Sequence, residues 1–175
     1  MTRSRKLLPI ALAALLLSAC ELVDSVEVAV FGPHCGGSGV PPELDGNELY
    51  IHDSHSFDWD RIDEAIALLQ PYENAHDLYV MDSLGALYLR KAVTLADDPA
   101  YFRRAVHYLG WAALCGDGLA VQYLSGIYSE GLAGIEKNPE LGTCLDRAYS
   151  PHLYERVQIA GRVWSCGLRM ENLPR

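Results

Sequence analysis

The chain has 175 residues, half of them apolar and 21% charged, with 14 Lys+Arg against 23 Asp+Glu and a formal net charge of −9. That length holds one ordinary domain, and the composition excludes wholesale disorder and fibrous or low-complexity protein. Excess negative charge repels phosphates, which argues against a nucleic-acid binder and against a basic peripheral membrane protein.

Met1–Lys6 carries Arg3, Arg5 and Lys6 with no acid, and Leu7–Ala19 is then apolar apart from Pro9 and Ser18. A helix needs about 20 residues to cross the hydrocarbon, so this shorter stretch reads as an export signal over residues 1–19. It ends in Leu17-Ser18-Ala19-Cys20, which resembles the bacterial lipoprotein cleavage box. Small residues before the cut fit the peptidase, and the thiol becomes the point of lipid attachment. The resemblance implies a diacylglyceryl thioether and an N-acyl chain on Cys20, enough buried methylene for stable anchoring. Glu21 rather than Asp after the cysteine implies the outer membrane of a Gram-negative envelope, facing the periplasm. Removal of 1–19 takes away three basic residues and no acid, leaving 11 basic against 23 acidic residues and a mature net charge of −12.

Residues 20–57 show no helical periodicity. Phe31-Gly32-Pro33, Gly36-Gly37-Ser38-Gly39 and Pro41-Pro42 break any regular element. The expectation is an irregular tether, pinned by Cys35, between the lipid and the domain. Beyond it Asp58 offers an N-cap, and Ile62, Ala65, Ile66 and Leu69 fall on one helical face. Internal repetition then decides the architecture. Leu124-Ser125-Gly126-Ile127-Tyr128 recurs 36 residues on as Ala160-Gly161-Arg162-Val163-Trp164, and Leu84-Gly85-Ala86-Leu87-Tyr88 fills the same slots 40 residues earlier. A second element repeats in step: Ala105, Leu109 and Ala112 match Leu141, Leu145 and Ala148, and Ala65 and Leu69 precede them. Two helix types therefore alternate, near 58–70, 75–92, 100–115, 118–131, 138–149 and 152–167. Small residues at Gly85, Ser125 and Gly161 let antiparallel helices close in. The four extra residues of the first interval are expected in the Lys91–Ala100 connection, where insertion costs little.

The Leu-Gly-x-x-Tyr core of 84–88 and the run Ala120-x3-Leu124-Ser125-x2-Tyr128-x2-Gly131 resemble the first helix of Sel1-like repeats. Gly134-Ile135-Glu136-Lys137-Asn138 is similar to their loop. Arg104-Ala105-x2-Tyr108-Leu109-x2-Ala112-Ala113-x2-Gly116 is similar to their second helix. The resemblance spans roughly residues 75–167 and departs from the family pattern at Leu141-Gly142 and Ser125. It implies an all-α protein: an α/α solenoid of about two and a half helix pairs over 58–167, with a tail at 168–175. It further implies a protein-binding scaffold without catalysis or cofactor.

Beyond Cys20 four cysteines remain: Cys35, Cys115, Cys144 and Cys166. An even count in an exported chain suggests up to two disulfides. Cys144 aligns with Tyr108 in the repeat, so Cys115 lies seven residues further, about 10 Å along the axis, and that link is disfavoured. Cys35 then pairs with Cys115 or Cys144, and Cys166 with the other. His52, His55 and Asp58 form a short polar cluster, but no third histidine stands at a defined spacing, so a solvated loop outweighs a zinc site. No serine, cysteine or carboxylate pair forms a recognisable nucleophile or acid–base motif.

What remains is a binding surface. Asp82, Gln122 and Gln158 occupy one repeat slot and are polar in all three helices. Residues 43–98 hold 13 acidic and 3 basic residues, whereas residues 99–175 hold 7 and 8. A basic partner is therefore expected around Asp58, Asp60, Asp63, Glu64, Glu73, Asp77 and Asp82. Lipoproteins of this repeat type can act as immunity proteins against periplasm-targeted toxins, such as phospholipase effectors of type VI secretion. That is the favoured expectation; an envelope or cell-wall maintenance scaffold is the alternative.

Overall fold

The computed structural model describes residue 35 and residues 59–75, 77–94, 98–132, 134–149 and 156–174. Among them are six α-helices and no strand: α1 Ile62–Leu69, α2 Leu78–Thr94, α3 Pro99–Leu114, α4 Gly118–Glu130, α5 Pro139–Ala148 and α6 Arg156–Ser165. Short 3-10 turns cover Trp59–Arg61, Gln70–Ala75 and Met170–Asn172.

Local chemistry sets most of the helix starts. Asp98 caps α3 by accepting from the Ala100 amide at 2.8 Å, with Pro99 at the first helical position. Asp117 caps α4 through the Ala120 amide at 2.8 Å, and Asn138 caps α5 through Leu141 at 3.0 Å, again followed by a proline. Each such side chain satisfies a backbone donor that the helix itself leaves unpaired, and proline sacrifices only a donor of that orphan set. The expected cap at Asp58 lies outside the described residues. α1 instead begins behind the 3-10 turn, at Arg61, without a side-chain cap.

The helices pack as successive neighbours. α2 lies against α3, α3 against α4 and α4 against α5, while α1 leans on α2 and α6 touches α3, α4 and α5. The repeat register is written into the core. Leu84, Leu124 and Ala160 are fully buried, and so are Leu69, Leu109 and Leu145. Burying a leucine completely contributes roughly 2 kcal/mol, so these matched positions form the spine of the domain. The small residues behave as their places predict in two of three cases. A Cβ added at Gly85 would stand 2.7 Å from the Leu109 side chain, and Ser125 is buried with its hydroxyl donating to the Gly142 carbonyl at 2.9 Å. Gly161, by contrast, has nothing within 4 Å of a would-be Cβ.

The extra four residues do not form a loop. α2 and α3 run for 17 and 16 residues, whereas α4 and α5 run for 13 and 10. In the repeat register α2 ends about one turn later than α4 and α3 starts about one turn earlier than α5, so eight residues are added to helix: the four surplus ones and four by which the connection 95–98 is shorter than 131–138. Asp98-Pro99 explains this: it caps and opens α3 a turn earlier than the repeat register requires. The stretch 168–174 also does more than trail. Leu168 and Leu173 are buried, and Leu173 covers Gly110 on α3 so closely that a Cβ there would lie 2.3 Å away.

Two cysteine pairs stand at disulfide distance: Cys35 with Cys115 at 2.03 Å and Cys144 with Cys166 at 2.06 Å. This is one of the two connectivities left open by the repeat spacing. The first joins residue 35 to the end of α3, and the second ties α5 to the turn after α6.

Candidate binding surfaces

The acidic residues expected to receive a partner separate into three groups. Asp60, Asp63 and Glu64 are exposed at the start of α1. Glu64 accepts from Arg61 at 2.8 Å and Asp63 pairs with Lys91 of α2. Such exposed pairs contribute little to stability, typically under about 1 kcal/mol, and leave carboxylate oxygens facing solvent. Glu73 sits in the 3-10 turn after α1 and accepts the Tyr108 hydroxyl proton at 2.6 Å. Burial and that bond to Glu73 push the Tyr108 phenol well above its ordinary range. Asp77 is buried and holds the start of α2, accepting from the Tyr79 and Val80 amides. Asp58 lies outside the described residues, as do His52 and His55.

Asp82 belongs to a buried group that its sequence position alone does not reveal. Desolvation first, and the neighbouring Asp117 charge second, together raise its carboxyl to about 7. Its Oδ1 atom is shut off from solvent and has no hydrogen-bond partner. Asp117 is also raised by burial, against the opposing pull of its capping bonds and of Arg156. Arg156, at the start of α6, acts on both Asp77 and Asp117 and points its guanidinium at the Cys115 carbonyl at 3.4 Å. Asp77 and Asp117 each cap a helix start, of α2 and of α4, and Arg156 of α6 acts on both. Gln122 and Gln158, which share the Asp82 slot, are both exposed.

Sequence reasoning also missed an aromatic seam between α2 and α3. Tyr88 stacks between Tyr101 and Tyr108, with ring centroids 6.3 and 5.5 Å away. Arg104 lies over the Tyr88 ring and donates to its hydroxyl at 3.0 Å, and Lys91 lies over Tyr101. Stacked rings with a cation above them contribute beyond their buried area. The signal was present as Tyr88, Tyr101 and Tyr108, but only the fold shows that they face one another. Beside this seam opens a cavity of about 420 Å³, lined by Glu73 and Gln70 on one side and by Arg104, His107, Tyr108 and Trp111 on α3.

Among the described residues no cluster of three or more histidine, cysteine or acidic side chains is placed to hold a metal ion, and no helix is long and apolar enough to cross a membrane. Compared with protein-family models, with curated proteins and with solved structures, the chain matches none of them.

Proposed function

We propose that the chain is a lipid-anchored periplasmic protein built as a short α/α solenoid of Sel1-like helix pairs, whose work is to bind another protein. Its most specific form is an immunity protein that neutralises a periplasm-targeted toxin. The observation that supports this reading most strongly is the pairing of a repeating helical core with uneven charge. The leucine spine recurs in register along the domain. Along the sequence, the acidic excess gathers in residues 43–98, net −10, while residues 99–175 carry +1. A rigid helical surface with one strongly negative end suits fast, steered capture of a basic protein surface.

Two measurements test it. Cys20→Ser is expected to move the protein from the membrane fraction to the soluble periplasmic fraction; continued membrane association removes the lipid anchor from the proposal. The immobilised chain is expected to retain a basic protein from envelope extracts, less at high salt because the Debye length shortens. Reversing Asp60, Asp63 and Glu64 to lysine should slow association about tenfold at low salt, whereas reversing Glu130, Glu136 and Asp146 should change it little. Equal effects of the two triples would overturn the charge-steered reading. Co-expression with the toxins encoded beside the gene separates immunity from an envelope scaffold: the scaffold stands if none is neutralised.

A further inference from the structure

Five large apolar or aromatic side chains are notably exposed among the described residues, and three of them share one face. Tyr79 on α2 is 37% exposed, and Leu119 and Tyr123 on α4 are 49% and 37% exposed. Tyr79 stands one helical turn before Asp82, and Leu119 one turn before Tyr123, so each pair lies on one side of its helix. Tyr79 and Leu119 occupy the same slot of the repeat, 40 residues apart. Burial raises the Tyr123 phenol, and the nearby Asp82 charge raises it further. Gly126, on the next turn of the same α4 face, has open space above it. An exposed, clustered aromatic and apolar patch of this kind marks an interaction site, and tyrosine is among the residues that carry most interface energy.

The charge at the centre of the patch identifies what the partner brings. Asp82 is mostly buried, with one edge at the surface and an Oδ1 atom that no protein group satisfies. The charged or titratable groups that act on it or on its neighbours are Asp117, Tyr123, Asp77 and Arg156. Arg156 acts on Asp77 and Asp117, and its guanidinium is directed to the Cys115 carbonyl. Arg156 thus serves two of the three carboxyl groups, and the one charge that acts on Asp82 is the like charge of Asp117. A desolvated carboxylate without a cation is costly, and supplying the cation from outside recovers much of that cost on binding.

We infer that the α2–α4 face is a docking surface for a protein that sets an arginine or lysine side chain against Asp82 and packs apolar side chains on Tyr79, Leu119 and Tyr123. The inference rests on the reading of this chain as a protein-binding molecule and names the anchor of that binding.

The test uses the full folded chain with carboxyl-¹³C aspartate, titrated with the peptide acetyl-Leu-Arg-Leu-amide and with its citrulline counterpart, which keeps the shape and lacks the charge. The arginine peptide is expected to shift the Asp82 carboxyl and Tyr123 ring signals with half-saturation on the order of millimolar, and the citrulline peptide to bind at least about tenfold more weakly. Asp82→Asn, nearly the same size, should lower the Tyr123 response to the arginine peptide by about the same factor. An unmoved Asp82 signal, equal response to both peptides, or a parallel shift of the exposed Asp146 would overturn the assignment. Retention of an envelope protein by Asp82→Asn at the wild-type level would likewise remove the anchor and leave the protein-binding reading intact. Failure of the wild-type chain to retain any protein removes that reading instead, and the peptide titration still decides the anchor.

Discussion

Gly142→Ala is expected to lower the stability of the helical domain by about 3 kcal/mol, measured as a fall in the urea midpoint followed by circular dichroism. A Cβ at this position would stand 2.2 Å from the Ser129 hydroxyl oxygen and 2.9 Å from both the Ser125 carbonyl oxygen and the Ser129 amide nitrogen. The first could rotate away. The other two are backbone atoms of α4, so α4 and α5 must separate. Separation also lengthens the bond from the Ser125 hydroxyl to the Gly142 carbonyl, worth about 1 kcal/mol. Gly161→Ala is the control. Nothing lies within 4 Å of its would-be Cβ, so alanine should raise stability by up to about 1 kcal/mol through helix propensity alone. The same substitution thus changes sign between α5 and α6. Equal effects at the two sites would mean that the α4–α5 seam is looser than its geometry requires.

Asp82→Asn is expected to stabilise the protein above neutral pH and to leave it unchanged in strong acid. Burial first, and the Asp117 charge second, raise the Asp82 carboxyl from 3.8 to about 7 in the folded protein. Between those values the folded state holds a proton that the unfolded state has released, so the Asp82 contribution to stability falls as pH rises through this window. Below about pH 4 both states are protonated and the difference vanishes. The full shift corresponds to roughly 4 kcal/mol, a ceiling that water entry and the needs of the asparagine amide reduce, so a gain of about 2 kcal/mol is expected at pH 8. Unfolding free energies of the two proteins, measured from pH 4 to pH 9, should diverge across that window. Parallel curves would refute the buried carboxyl.

The helical class and the helix order were legible because the core repeats. Leu84, Leu124 and Ala160, with Leu69, Leu109 and Leu145, announce themselves by spacing, and burial follows from the same spacing. Helix lengths were less legible. A repeat interval of 40 rather than 36 says that residues were added, not whether they wind into helix, and the Asp98-Pro99 cap decides it locally. The acidic residues show the wider gap. Composition places them in one half of the chain, but Asp77 is a buried cap, Glu73 a partner for a tyrosine, and Asp82 an unpaired carboxyl inside an acid cluster. Charge patterning is a property of the chain, whereas those roles depend on which helix turns meet. The meeting of Asp82 with Asp117 requires α2 and α4 to be brought together through α3.

The bridging pattern bears on how such a chain would mature. Beyond Cys20, the paired cysteines follow the order in which they occur: the first with the second, and the third with the fourth. The two covalent loops neither cross nor nest, and α4 lies between them, enclosed by neither. For a polypeptide threaded through a membrane from its N-terminus, Cys115 would emerge to find Cys35, and Cys166 to find Cys144, as the only earlier thiol of these four still free. An oxidase that joins thiols as they appear therefore yields the native pattern directly, with no need for an isomerase to reshuffle it.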